Sequence, residues 1–223
     1  MPNRSVAIDG PVASGKSTAA RAVAERLDLA YIDTGAMYRA VTLAALQAGV
    51  DPFNEAGVVA LLAAAPIAVH PDARAPLGYR IYRDGAELGS LLFGEDVASA
   101  VSVVAAHPRV RTAMVEEQQR LAARSPVVMA GRDIGTVVLP DARFKVFLTA
   151  SLEARVARRC AELWDRGVNC DQTQLRRQIQ ERDRLDSTRL VAPLRPALGA
   201  VVIDSSELNA DEVVERIVAL IRS

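Results

Sequence analysis

Residues 6–18 read Val6-Ala7-Ile8-Asp9-Gly10-Pro11-Val12-Ala13-Ser14-Gly15-Lys16-Ser17-Thr18. Three apolar residues run into a glycine-rich turn. Beyond it, apolar residues recur at Ala19, Ala22, Val23 and Leu27. The first piece predicts a buried strand and the last an amphipathic helix. Between them, Gly10 to Ser17 fits the spacing G-x-x-x-x-G-K-[ST] at every fixed position. Gly10 and Gly15 permit backbone geometry that turns successive N–H groups inward. With the start of the helix, these groups form a cradle for anions. Lys16 brings a compact charge to the β- and γ-phosphates of a nucleoside triphosphate. Ser17 offers a hydroxyl to Mg²⁺, which prefers hard oxygen ligands. Lysine occurs only at Lys16 and Lys145, and every other basic residue is arginine. A lysine stands here because an ammonium fits the loop and a planar fork does not. The pattern implies triphosphate binding and no more, since switches, ATPases and small-molecule kinases share it.

Outward from the loop, short apolar runs alternate with helical stretches. Tyr31-Ile32 predicts a second strand and Ala36 to Ala48 a helix. Asn54 is placed to cap another helix, ending near Ala64. From Pro66 to about Gly94 the pattern changes. Ile67 to Val69, Tyr79 to Tyr82 and Glu87-Leu88 predict short strands, and Asp84-Gly85 is a hairpin turn. Helices follow over Glu95–Ala105 and Pro108–Ala123. Val127 to Met129 and Phe144 to Leu148 predict buried strands. Ser151 caps a helix through 155–167, and 172–187 forms another. Val201 to Ile203 predicts a last strand. Asn209 with Glu212 resembles a capping box, and the final helix carries the stripe Val213, Val214, Ile217, Val218 and Ile221. This alternation predicts an α/β fold: a parallel sheet with helices on both faces and a small β insertion.

Bulk properties narrow the function. The 223 residues suffice for one α/β core with an insertion. Lys+Arg and Asp+Glu both number 27, so no overall field draws the chain to nucleic acid or an anionic membrane. Met1 to Ser5 shows no apolar signal region. The longest apolar run, Val58 to Val69, is broken by Pro66 and too short to span a bilayer. Cys160 and Cys170 lie in a polar, arginine-rich stretch, and two free thiols in a reduced cytoplasm are expected. His70 and His107 are far apart in sequence and neither lies near a cysteine, so a side-chain metal cluster is not expected. No apolar helix stripe is left over, which points to a monomer.

The remaining candidates are mostly arginines. Thr34 is placed to cap the helix after the second strand, with Tyr38 and Arg39 one turn in. Arg132 and Asp133 follow a strand between two glycines, where ligand residues of open α/β sheets collect. Arg155, Arg158 and Arg159 share one helical face, an arrangement suited to an anion and a closing lid. Arg182, Asp186 and Arg189 fall on another face.

With these pieces in place the chain resembles the bacterial cytidylate (CMP/dCMP) kinases. The resemblance is carried by IDGPVASGKST, IDTGAMYRAV, GEDV, the PRVR of 108–111, GRDIGTVVLPDA and ERDRLDSTRLVAPL, in family order over nearly the whole chain. It implies a single kinase domain over 1–223, an inserted monophosphate-binding subdomain over about 60–105 and a lid over about 153–171. Gly10, Pro11, Val12, Ala13, Ser14, Gly15, Lys16, Ser17 and Thr18 would hold ATP, with Mg²⁺ on Ser17. Thr34, Tyr38, Arg39 and Arg132 would hold the acceptor monophosphate. Ser102, Arg111 and Asp133 would read cytosine, and Arg182 and Asp186 the sugar, with Arg189 beside them. Lys16, Arg39, Arg132, Arg155, Arg158 and Arg159 would stabilise the charge in transfer. Members of this family often carry an acid before the GRD triplet. Here it is Ala130, which leaves Ser17, phosphate oxygens and Asp33 to place the metal. The alternatives are a kinase for another acceptor and a nucleotide-dependent switch. The chain has no guanine-reading N-K-x-D pattern, which counts against the switch.

Overall fold

Strand β1 (Val6–Asp9) sits at the centre of a five-stranded sheet, and all four of its residues are buried. The computed structural model describes residues 4–165 and 167–222. Most of the Met1–Ser5 stretch, Arg166 within the helix expected through 155–167, and Ser223 lie outside them. The sheet runs β2 (Ala30–Asp33), β6 (Val127–Gly131), β1, β7 (Phe144–Thr149), β8 (Val201–Asp204), every pair parallel. A strand covered on both faces loses its polar alternation, which is why β1 and β6 read as continuous apolar runs. The register places Asp9 opposite Gly131, and Asp33 opposite Ala130. Three strands therefore end side by side, and the loops that leave them face one cleft.

Helices flank the sheet. α1 (Lys16–Leu27) packs on α8 (Ala210–Arg222), which buries Val213, Val214, Ile217 and Val218. The capping box holds: Asn209 Oδ1 accepts from Glu212 N–H at 3.0 Å, and Glu212 Oε2 accepts from Asn209 N–H at 2.8 Å. α2 (Thr34–Gln47) packs on α3 (Glu55–Ala64) and α4 (Glu95–Val104), and α5 (Pro108–Arg124) on α3. The predicted insertion forms a second, antiparallel sheet of β3 (Ala68–Pro71), β4 (Tyr79–Arg83) and β5 (Ala86–Glu87). Its turn places Asp84 and Gly85 at φ 49° and 75°, the left-handed pair that a two-residue hairpin requires. Leu88, expected in a strand, instead leads into a 3₁₀ turn over Gly89–Phe93.

Two expectations are corrected. Asp33, not Thr34, caps α2: its Oδ1 accepts from Gly35 N–H at 2.9 Å. Thr34 is the first helical residue, and its hydroxyl donates to the Ala130 carbonyl at 3.0 Å, tying α2 to β6. Cys160 and Cys170 are joined in a disulfide rather than free. α6 (Leu152–Trp164) and α7 (Gln172–Thr188) pack against each other. That packing brings the two Cα atoms to 5.3 Å, within bonding reach. Around the bridge, Val156, Cys160, Leu175 and Ile179 form a small core of their own.

Candidate active site

The phosphate loop adopts the backbone its glycines allow. Gly10 has φ 153°, and a Cβ there would lie 2.0 Å from the Leu148 carbonyl oxygen, so no side chain fits. Gly15, with φ 88°, precedes α1 and has no side chain to cap it, which leaves the first N–H groups of the helix facing the loop. Lys16 is buried and donates to the Pro11 carbonyl and, at 3.4 Å, to Ser14 Oγ. Burial holds its pKa well below the usual range, and Arg132 adds to the effect. Ser17 Oγ donates to Asp33 Oδ2 at 3.1 Å. Hydroxyl and carboxylate form a hard-oxygen pair beside the loop.

On the acceptor side the structure joins residues far apart in sequence. Arg111 on α5 pairs with Asp133, both almost fully buried, and Arg189 Nη2 lies 3.5 Å from the other Asp133 oxygen. Arg189 stands just past the end of α7, and its Nε donates to the Ala192 carbonyl at 2.6 Å. Tyr38 on α2 completes the wall, with Arg111 stacked 5.8 Å from its ring centroid. Burial pushes the Tyr38 hydroxyl up to about 12, so it stays protonated. Arg111 Nε is buried without a hydrogen-bond partner among the described residues. Ser102 is half-buried on α4, and no hydrogen bond or ion pair among the described residues ties it to this cluster.

Between loop and pocket, cations converge. Arg132 Nε donates to Asp186 Oδ2 at 2.7 Å. Arg182, one turn earlier on α7, is drawn down to about 10 by burial, with Arg132 beside it; Arg39 and Arg159 act in the same direction. Arg39 is likewise lowered by burial and feels Arg159 and Arg132. Its guanidinium also donates to the Leu92 carbonyl at 3.4 Å and lies 5.6 Å from the Phe93 ring centroid. Lys16 feels both Arg132 and Arg182. Asp33 and Asp186 are the opposing carboxylates that recur around these five cations. Asp186 itself stays below the usual carboxylate range: burial pushes it up, but Arg132 and Arg182 outweigh that. Cations that raise one another's cost of ionisation in this way suit a bound anion.

The three arginines of α6 separate in role. Arg155 is buried; it pairs with Asp183 at 2.6 Å and donates to the Val12 and Ala150 carbonyls. Arg158 donates to Ser205 Oγ at 2.9 Å and to the Ser205 and Leu208 carbonyls. Ser205 is also bonded to the Ser14 carbonyl at 3.3 Å. Both arginines thus tie α6 to the phosphate loop. Arg159 pairs with Glu162 one turn on, and its charge is felt by Arg39 and Arg182.

Three contributors escaped sequence reasoning. Asp183 and Ser205 hold Arg155 and Arg158, and no local signal marks either. Asp9 is buried at the end of β1 and accepts from Ile134 N–H at 2.7 Å and Gly135 N–H at 2.8 Å. A charge immediately before the glycine loop was the visible signal. The segment it grips, Ile134–Val138, is one turn of π-helix closed by Leu139 N–H on the Ile134 carbonyl at 2.7 Å. Such turns are rare and collect at functional sites.

The family model "Cytidylate kinase" matches residues 6–223. A cytidylate kinase from Geobacillus kaustophilus (strain HTA426) is 50% identical over 97% of this chain and 96% of its own length. One from Geobacillus thermodenitrificans (strain NG80-2) is 48% identical over 97% and 95%. One from Rhodococcus jostii (strain RHA1) is 46% identical over 97% and 93%. Among solved structures, a gluconokinase from Sinorhizobium meliloti 1021 superposes with a TM-score of 0.48 at 16% identity, over 99% of this chain and 92% of that one, too low to bear on the site. With a matching model and near full-length relatives at this identity, the chain belongs to the cytidylate kinase family.

Proposed function

We propose that this protein transfers the γ-phosphoryl group of ATP to CMP or dCMP, releasing ADP and CDP or dCDP. The observation that carries the proposal is the convergence of Lys16, Arg39, Arg132, Arg159 and Arg182 between the phosphate loop and the buried Arg111–Asp133–Arg189 pocket. Two polyanions placed end to end would relieve that repulsion.

The chemistry follows. The acceptor phosphate is ionised near neutral pH, since its second pKa is about 6, so one of its oxygens attacks without a general base. What the protein supplies is alignment and charge stabilisation. Gly10 to Thr18 cradle the donor, with Lys16 on the transferring phosphoryl. Thr34, Arg39 and Arg132 take the acceptor phosphate, and Arg182 and Asp186 take the sugar. Asp133 accepts from the cytosine amino group, and Arg111 and Ser102 meet the ring nitrogen and carbonyl. Uracil offers a carbonyl where Asp133 needs a donor, which disfavours UMP. Ser17 and Asp33 form a hard-oxygen set that fits Mg²⁺. Bound there, the ion would neutralise charge between the β- and γ-phosphates. Residues about 60–105 serve as the monophosphate-binding subdomain. Residues about 153–171 serve as the lid, with Arg159, paired to Glu162 on the same helix, as its cation toward the cleft and Arg155 and Arg158 as its anchors on the loop. No helix among the described residues is long and apolar enough to cross a membrane. We propose a cytoplasmic monomer, in which the Cys160–Cys170 bridge would be open to reduction.

The test is ADP formation from ATP with Mg²⁺ and CMP, dCMP, UMP, AMP, GMP or shikimate supplied singly. Rapid turnover confined to CMP and dCMP is expected. Turnover with another acceptor rejects the base-reading assignment, and turnover with none rejects the kinase reading.

A further inference from the structure

Asp9 spans the two halves of the site. It ends β1, directly before Gly10, so its backbone opens the phosphate loop. Its carboxylate reaches sideways and accepts from Ile134 N–H and Gly135 N–H, the turn that follows Arg132 and Asp133. The fit is close. A Cβ on Gly135 would lie 3.4 Å from Asp9 Oδ2, 3.4 Å from Lys145 Cδ and 3.0 Å from Ala197 Cβ. A buried, ionised carboxylate is a costly way to satisfy two amides. A serine hydroxyl or a water would close such a turn without a charge. The carboxylate holds both amides at once, one on each oxygen, in fixed register.

We infer that Asp9 is a positioning residue: its ionised carboxylate locks the 132–138 turn to the base of the phosphate loop, and so sets Arg132 and Asp133 at the correct reach from Lys16. This rests on the CMP kinase reading and extends it, because it links the acceptor pocket mechanically to the donor loop.

A consequence can be measured. Burial raises the pKa of Asp9 to about 6, against the two amides that lower it; Asp133 pushes it further up and Lys16 down. These are the charged groups facing it from the turn and from α1, and Lys145 on β7 flanks Gly135. A protonated carboxyl keeps one acceptor for one amide and turns an O–H toward the other. The clamp therefore loosens as pH falls through about 6. Stability moves the other way. Between about pH 6 and the unfolded value of 3.8, the folded chain binds a proton that the unfolded chain does not. The contribution of Asp9 to stability therefore grows as pH falls through that window. Loss of activity there beyond that of CMP protonation is loss of alignment, not of fold.

The test compares the wild type with Asp9→Asn, which keeps the shape and removes both charge and proton. Substrate CMP itself titrates near pH 6. In the wild type, kcat/KM for CMP should fall with a slope of two on the acid side, one proton on CMP and one on Asp9. The Asn variant should show a slope of one, with KM for CMP at pH 7.5 raised by roughly tenfold, the effect of one lost charged hydrogen bond. A wild-type profile in the Asn variant overturns the inference. Should the variant not fold, ¹⁵N chemical shifts of Ile134 and Gly135 in the wild type decide. Both should move in step with the Asp9 carboxyl ¹³C shift, at about pH 6, and amides that hold constant while that carboxyl titrates overturn the inference. Absence of CMP turnover in the wild type overturns the kinase reading instead, and the amide titration still decides the clamp.

Discussion

Asp133 stands between two guanidinium groups in a pocket that water barely reaches. Removing its side chain would strand Arg111 and Arg189 as buried charges, a loss of about 3–5 kcal/mol that would confuse folding with recognition. Asp133→Asn keeps the volume and one acceptor. If Asp133 reads the cytosine amino group, this variant should raise KM for CMP about 10- to 100-fold, the worth of a charge-assisted bond. KM for ATP should change little, because the phosphate loop takes its shape from Gly10 and Gly15. Steady-state kinetics with each substrate varied in turn makes the check, and equal losses on both sides would reject the role. The motif around Arg132 and Asp133 was legible from its flanking glycines and its place after a strand. That Arg111 is its partner was not legible, since nothing in the spacing of two residues 22 positions apart marks contact.

α6 and α7 show how cations on one helical face can take different partners. The i, i+3, i+4 spacing of Arg155, Arg158 and Arg159 placed three cations on one face, and the expectation was a shared anion. Side-chain direction and neighbours divided them. Arg155 meets Asp183 from α7, Arg158 meets the turn after β8, and Arg159 remains toward the cleft. The pair of helices owes its union to a four-residue core and the Cys160–Cys170 bridge. A loop of this length restrains the unfolded chain by about 3 kcal/mol. Reduction should therefore lower the melting temperature seen by scanning calorimetry. Cys170→Ser, at the half-buried end of the bridge, should melt at the temperature of the reduced protein and be indifferent to reductant. Equal melting of the oxidised and reduced wild type would show that the bridge does not hold the helices.

At the scale of the molecule, five cations reach the cleft from different elements: Lys16 from α1, Arg39 from α2, Arg132 from the end of β6, Arg159 from α6 and Arg182 from α7. If the two substrates bind among these cations, the bound anions would replace their mutual repulsion with attraction. A non-hydrolysable ATP analogue and CMP together should reduce the radius of gyration in X-ray scattering more than either alone. An unchanged radius would argue for a preformed, rigid site. The phosphate loop, the strand–helix alternation, the Asp84-Gly85 hairpin and the α8 stripe were all set by sequence alone. Each depends on residues within a few positions of one another, where glycine conformations, apolar period and capping act directly. The clamp of Asp9 on Ile134, 125 residues away, was decided by tertiary structure, as were the grip of Asp186 on Arg132, the Arg111–Asp133 pair and the joining of the cysteines. Those partners meet because the sheet orders its strands β2-β6-β1-β7-β8 and because α6 folds back on α7. Strand order and helix packing are settled by burial of the whole core, which no local spacing encodes.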